Sequence, residues 1–422
     1  MLYERWREIA CAGRDEIALR DVAAGRQWTF RELFQATEQV GRGGLKFAFP
    51  EGGSAEFIFS VLRAWRSSQV VCPLETGQAA PEFSQPLPGG IVHLKTTSAT
   101  AAAPRMVAFT AEQLAADAGN IVATMGLRPD WPNLGVISLA HSYGFSNLVL
   151  PLLLHGIPLT LAGAPLPEAI RRAAATERAI TLAAVPALCR AWLDAEAIPP
   201  NVNLAISAGA PLSLALEQHA FALRGLKIHN FYGASECGGI AYDAAAGPRL
   251  DGVCAGAPMR NVELCVADEG CLEVRGRAVG QTYWPEPGPN LRDGVFRTSD
   301  LAEISCGLVY LRGRASDQIN VAGRKISPET IEKVLLAHPA VRDCLVFGVA
   351  SGDTGRGEKI VACIVSKSET SGETFKQFLL EKLPAWQVPR DWQFVESLEA
   401  NQRGKLSRAE WRKRYLEKNS IV

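Results

Sequence analysis

Apolar positions change their spacing several times along the chain. Over residues 26–40, RQWTFRELFQATEQV, the residues Leu33, Ala36, Thr37 and Val40 can share one helical face. Thr29 and Glu32 have the spacing of a capping box, so a helix is expected to start there. Leu45–Phe49 then reads as a strand, Glu56–Arg66 as a helix and Val70–Pro73 as a strand. Residues 75–90, rich in Pro, Gly and Gln, read as a loop. From 111 to 231, strand-like runs at Gly135–Ala140, Pro158–Ala162, Ile180–Ala184, Leu204–Ser207 and Lys227–Phe231 alternate with helical segments. That alternation predicts a largely parallel sheet covered by helices. Between 249 and 310 the period shortens to two, as in Val262, Leu264 and Val266, with frequent glycines. A small antiparallel barrel or sheet is expected there. After 327 the pattern reads helix, strand (Val341–Val349), strand (Lys359–Val365), helix (about 372–383), strand and helix.

The stretch Leu311–Glu332, LRGRASDQINVAGRKISPETIE, joins two compositionally different parts. Ser327 suits the cap of the following helix, Pro328 its first turn and Glu329 its positive end. The expected division is an N-terminal domain over 1–314, a hinge at 315–318 and a C-terminal lid over 319–422. The fold class is α/β: a large N-terminal domain of helix-covered sheets plus a small antiparallel barrel, then a small mobile α+β domain.

Net charge is zero, from 44 basic and 44 acidic residues, which disfavours a nucleic-acid partner. The ten cysteines form no Cys-x-x-Cys pair, which argues against a zinc site or a disulfide scaffold and fits a reducing cytoplasm. The N-terminus MLYERWREIA has no long apolar run, so no secretory signal is expected. The most apolar stretch, Leu148–Ala162, is too short for a bilayer and is broken by Pro151, His155, Gly156 and Pro158. It reads as buried helix followed by buried strand, and no membrane span is expected. Ser407 and Glu410 have capping-box spacing before a last helix carrying Arg408, Arg412, Lys413, Arg414 and Lys418, which reads as a solvated basic face.

Candidate chemistry gathers at junctions between these elements. Ligands bind where strands of such sheets run into loops. His141-Ser-Tyr-Gly144, Ser207-Ala-Gly-Ala-Pro211 and Tyr232-Gly-Ala-Ser-Glu236 carry small or polar residues at such places. A hydroxyl-rich turn in LKTTSATAAAPRMVAFT, residues 94–110, can surround a phosphate with hydroxyl and N–H donors. Read singly, each is also an ordinary turn: an Ala/Thr loop, a Tyr at a core edge, an Asp ending a strand, an exposed lysine in a basic tail.

Taken in order, these segments resemble the adenylate-forming family of acyl- and aryl-CoA synthetases, peptide-synthetase adenylation domains and luciferases, over nearly the whole chain. Thr97-Ser-Ala-Thr-Ala-Ala-Ala-Pro-Arg105 is similar to the family's phosphate loop T-S-G-T-T-G-x-P-K, with Ala99 and Ala102 in place of both glycines and Arg105 for Lys. The resemblance implies that Thr97, Ser98, Thr100 and Arg105 hold phosphate, and that Gly209, Ala210 and Pro211 border the adenine. Tyr232-Gly-Ala-Ser-Glu236 resembles Y-G-x-T-E: Tyr232 and Gly233 meet the adenine, Ser235 the phosphate, and Glu236 binds Mg²⁺. Thr298-Ser-Asp300 resembles T-G-D, whose Asp holds the ribose, and Arg314 would contact ribose and phosphate. Ser316 stands at the hinge position, with Asp317 next, and Gly323 lies by the thiol tunnel. Asn401-Gln-Arg-Gly-Lys-Leu-Ser-Arg408 resembles the terminal G-K-x-x-R loop, making Lys405 the catalytic lysine. The N-terminal lobe is trimmed between Leu74 and Thr96.

The implied activity is ATP- and Mg²⁺-dependent activation of an aromatic or fatty carboxylic acid as acyl-adenylate, then transfer to the thiol of CoA or of a carrier protein's phosphopantetheine. His141 would shape the acid pocket, with Tyr143 and the strand at 204–210, or assist the thiol step. The rival reading, motivated by the glycine-free loop and Ser316, is a catalytically impaired nucleotide- or acyl-binding member of the same fold.

Overall fold

The computed structural model describes residues 1–39, 46–83, 85–97, 105–351, 357–398 and 407–419. Cα packing divides the chain into two compact units. The larger holds Met1–Cys265, Glu273–Arg297 and Ile304–Val309; the smaller holds Val266–Leu272, Thr298–Glu303 and Tyr310–Val422.

In the larger unit β1 (Ile17–Asp21) is followed by a helix over Phe30–Gln39. The capping box closes as its spacing predicts: Glu32 N–H donates to Thr29 Oγ1 at 3.2 Å, and Thr29 N–H to Glu32 Oε2 at 2.8 Å. A helix spans Ala55–Arg66. Then β2 (Ile91–Thr96) and β3 (Met106–Thr110) pair antiparallel around residues 97–105, and α1 (Ala111–Met125) follows. Further strands are β4 (Asn133–Gly135), β5 (Leu159–Leu161), β6 (Ile180–Ala184), β7 (Val202–Ser207), β8 (Ile228–Ala234) and β9 (Gly238–Tyr242). Their order across the sheet is β9-β8-β7-β6-β4-β5-β1. All of these neighbours pair parallel except β8 with β9. A second sheet runs Thr282–Trp284, β3, β2, Val70–Val71, Phe47–Ala48.

Both faces of the parallel sheet are covered, so its strands read as unbroken apolar runs: every residue of β6 is buried. Trp192, fully buried on the helix Pro186–Asp194, fills the layer between Ile170, Leu182 and Leu216 and donates its indole N–H to the Pro165 carbonyl at 2.9 Å. Leu150–His155 is a buried helix and β5 a buried strand, as expected of that apolar stretch.

Three expectations shift. The strand expected over Gly135–Ala140 occupies Asn133–Gly135 instead. Past Gly135, Ala140 N–H turns to Ser138 Oγ at 3.2 Å, and that local bond displaces the ladder. Tyr232 and Gly233 do not follow a strand but lie within β8, which continues as a hairpin with β9. Thr298-Ser-Asp300 likewise sits inside the strand Val295–Ser305 rather than after one. From 254 to 314 strands follow one another, with no helix longer than the single turn Asp268–Gly270.

The smaller unit has a hairpin over Ile319–Val321 and Arg324–Ile326, α2 (Pro328–Leu336), and a sheet of β10 (Val341–Ala350), β11 (Glu358–Ser366) and β12 (Asp391–Phe394). Alternate residues serve two cores. Cys344, Val346, Ile360, Ala362 and Ile364 meet Ile331, Leu335, Phe375 and Leu379, while Leu345, Phe347, Val349, Val361 and Cys363 meet Tyr415 of α3 (Arg408–Asn419). Ser327 holds the N-cap position of α2, but its hydroxyl donates to the Glu329 carboxylate instead of capping the helix.

Candidate active site

The hairpin β2–β3 brings the ends of the hydroxyl-rich turn together. Thr97 N–H donates to the Arg105 carbonyl at 2.9 Å, and Thr97 Oγ1 donates to the same oxygen at 2.8 Å. Ser98, Ala99, Thr100 and Ala102 lie outside the described residues, as does Lys405. The Arg105 guanidinium lies over the Tyr283 ring, 3.8 Å from its centroid. Tyr283, on the strand Thr282–Trp284, donates its hydroxyl to Glu236 Oε1 at 3.1 Å. Burial first, and then the Glu236 carboxylate, raise the pKa of this phenol, so it stays a donor. Glu236 sits with Ser235 in the turn between β8 and β9, half-buried, and its carbonyl accepts the Gly280 N–H at 2.8 Å. Thr97, Arg105, Tyr283 and Glu236 thus form one continuous assembly. Tyr283 was not singled out in the sequence; only the alternation of the short strand that pairs with β3 could have pointed to it.

A second group gathers around His141. Its Nε2 is 3.1 Å from Glu75 Oε1, and Ser138 Oγ donates to the same oxygen at 2.7 Å. Glu75 lies in the Pro/Gly-rich loop and carries no signal of its own in the sequence. Tyr143 donates its hydroxyl to the Ile206 carbonyl at 3.2 Å and lies 5.9 Å, ring to ring, from Phe231. Desolvation holds its pKa far above the usual phenol value, so it works as a wall and a tie, not as an acid. Directly after Tyr143 the helix widens to a π-turn over Phe145–Val149, a form that often marks functional sites. Gly209, Ala210 and Pro211 follow β7, with Gly209 at φ +85°.

In the smaller unit Arg314 Nε donates to Asp300 Oδ1 at 2.9 Å, so these two expected nucleotide contacts meet. Asp300 N–H in turn donates to Thr298 Oγ1 at 3.0 Å. Ser316 lies in a single 3₁₀ turn, Ala315–Asp317, and its hydroxyl donates to Asp317 Oδ1 at 3.3 Å. Gly323 has φ +82° after Ala322 at +51°, the paired positive values of a tight hairpin turn, and a Cβ there would meet nothing within 4 Å. Its turn is therefore sufficient reason for a glycine. Arg408 departs from the solvated basic face expected of α3. It reaches Asp317 at 3.2 Å, Glu329 at 2.9 Å and Glu332 at 2.7 Å, and donates to the Val346 carbonyl at 3.1 Å.

A family profile described as AMP-binding enzyme matches residues 64–284, and one for its C-terminal domain matches 330–405. The chain belongs to the AMP-binding enzymes. A probable 2-succinylbenzoate–CoA ligase of Mycobacterium tuberculosis is 30% identical over 331 residues, 74% of this chain and 82% of that protein. A feruloyl-CoA synthase of Amycolatopsis is 27% identical over 344 residues, 76% of this chain and 69% of that protein. The crystal structure of ATP-bound MatB from Rhodopseudomonas palustris matches with TM-score 0.85 at 20% identity, covering 98% of this chain and 99% of that one, which speaks for the fold. This AMP-binding enzyme is an ATP-dependent, adenylate-forming acid–thiol ligase. No helix among the described residues is long and apolar enough to cross a membrane.

Proposed function

We propose that the enzyme activates an aromatic acid, ahead of a fatty one, as its acyl-adenylate and passes the acyl group to the thiol of CoA. The observation that carries this reading is the Thr97–Arg105–Tyr283–Glu236 assembly, which sets a cation and a carboxylate on one frame. A carboxylate is a poor electrophile because its leaving group would be oxide. Its attack on the α-phosphate of ATP makes a mixed anhydride and releases pyrophosphate; thiol attack on the acyl carbon then releases AMP. Both steps gather negative charge that must be met by fixed positive groups.

Arg105 and the hydroxyls of Thr97, Ser98 and Thr100 would hold phosphate, and Ser235 would hold the α-phosphate. Tyr232, Gly233 and the 209–211 segment would take the adenine, Asp300 the ribose, and Arg314 both ribose and phosphate. Glu236 fits Mg²⁺, which keeps several waters and needs one or two carboxylates beside the phosphates. Such an ion would neutralise charge on the triphosphate. Lys405 would meet the charge on the reacting phosphate, and the 315–318 segment would serve as the hinge for a lid over 319–422. The aromatic preference is supported by the wall of Tyr143 and Phe231 beside His141, and by the aromatic acids in the names of the two relatives. Glu75 would fix the His141 ring for the thiol step.

Pyrophosphate release with ATP, Mg²⁺ and a mixed panel of aromatic and aliphatic acids tests the reading, with CoA and a phosphopantetheinyl carrier protein as separate acceptors. Lys405→Ala should lower adenylation roughly 100-fold or more, the loss typical of a removed charge-stabilising group. Full activity of that variant would remove Lys405 from the mechanism. Tight AMP binding with no turnover across the panel would favour the impaired reading that the glycine-free loop motivates.

A further inference from the structure

We propose that Lys95, Ser146 and Asp117 form a buried charged strut that positions the Glu236 turn against the Thr97–Arg105 loop base, so that they are positioning residues for metal and nucleotide. This rests on the reading of Glu236 and Arg105 given above. A buried lysine next to the end of a β-strand, here the fifth of the six residues of β2, is unusual, since charged groups are almost never buried unless paired. Lys95 is 3% exposed, Ser146 3% and Asp117 1%. Lys95 Nζ donates to Ser146 Oγ at 3.0 Å and lies 3.6 Å from Asp117 Oδ2. Ser146 Oγ donates to Asp117 Oδ2 at 2.6 Å. The other oxygen, Asp117 Oδ1, accepts the Gly239 N–H at 3.3 Å. Gly238 has φ +69°, and a Cβ on it would stand 1.9 Å from Asp117 Oδ1, so backbone and carboxylate are in contact.

These contacts complete a ring. Glu236 leads through Cys237 and Gly238 to Gly239, whose amide meets Asp117. Asp117 meets Lys95, which is two residues from Thr97. Thr97 grips the Arg105 carbonyl, Arg105 stacks on Tyr283, and Tyr283 returns to Glu236. Ser146 adds a further segment, because it belongs to the π-turn that follows His141 and Tyr143. His93, on the same face of β2 two residues earlier, is fully buried, lies tilted against Phe145 with ring centroids 4.3 Å apart, and has no hydrogen-bond partner on either nitrogen among the described residues. Burial and then Lys95 keep it neutral, so the strut holds a single cation.

Buried ion pairs contribute little net stability compared with apolar replacements. What the pair supplies is a fixed distance between segments remote in sequence. The test separates these two roles. In Lys95→Met/Asp117→Val both charges are removed together, so the fold is expected to melt within a few degrees of the parent. The Mg²⁺ concentration for half-maximal pyrophosphate release should nonetheless rise about 10–100-fold, the range for groups that orient a metal ligand. In the ligand-free protein, amide exchange in the segment covering Gly238 and Gly239 should accelerate. Parental Mg²⁺ requirement and parental exchange in this variant would overturn the proposal. Should the double variant fail to fold, Ser146→Ala keeps both charges and removes only the bridge. Faster exchange at Gly239 in that variant is then expected, and an unchanged rate overturns it. A parent enzyme that releases no pyrophosphate with any acid would instead count against the proposed function, and the exchange measurement would still decide this inference.

Discussion

Among the described residues, one ammonium faces one carboxylate around Lys95, and one guanidinium faces three around Arg408. The first cluster is closed, with each charge matched and each oxygen of Asp117 engaged. The second carries surplus negative charge from Asp317, Glu329 and Glu332. The consequence falls on Glu332, the least exposed of the three. Burial outweighs Arg408 and the Val346 N–H and pushes its pKa up to about 7. The buried carboxylate of Glu332, with Glu329 adding to the shift, makes the second cluster sensitive to protons near neutrality.

The comparison can be broken most forcefully at Arg408. Arg408→Met leaves three carboxylates without their cation and should destabilise the smaller unit by about 3–5 kcal/mol at neutral pH, as measured by chemical denaturation. A loss below 1 kcal/mol would mean that the cluster is already solvated. Next comes Glu332. Below about pH 4.5 folded and unfolded chains both hold its proton; between there and about 7 only the folded chain holds it. Stability therefore falls as pH rises through that window, by about 3 kcal/mol in all, and levels off above it. Glu332→Gln should flatten that slope in denaturation series across pH 4.5–7.5, and an unchanged slope would assign the window to another group. Tyr283→Phe removes one hydrogen bond to a carboxylate, worth about 1.5–3 kcal/mol less whatever water recovers at this half-buried site. It should weaken ATP use more than overall stability, read as KM for ATP against the melting temperature. Smallest is Arg105→Lys, which keeps the charge but gives up the stacked guanidinium, about 0.5–1 kcal/mol at an exposed site and a few-fold in KM for ATP.

Local signals in the sequence carried well. The Thr29–Glu32 box closed, the alternation after Ile180 became a parallel sheet, and the apolar runs of β10 and β11 proved to be strands buried on both faces. Two misplacements arose where turn-forming residues sit inside continuing strands, at Tyr232-Gly233 and Thr298-Ser-Asp300, because pairing with a neighbouring strand overrides local preference, whereas the strand expected over Gly135–Ala140 ends early at the local bond to Ser138. Ser327 has the right type for a cap, yet Glu329 two residues on competes for its hydroxyl. The partners Glu75, Asp117 and Tyr283 were invisible for a different reason. Each meets its site residue across tens of positions, and neither periodicity nor spacing records such a meeting. Arg408 closes the segment that resembles the G-K-x-x-R loop, but its three acidic partners could not be read from the sequence, where it otherwise joins the basic run of α3.

The double grip of Thr97 is on the main-chain oxygen of residue 105, not on its side chain. At position 105 the mouth of the turn is therefore held shut by an atom that every amino acid possesses. Selection could exchange the cation at that place, arginine for lysine or the reverse, without reopening the turn. Shape and charge are in this way inherited separately, and a designer could retune the second while leaving the first alone.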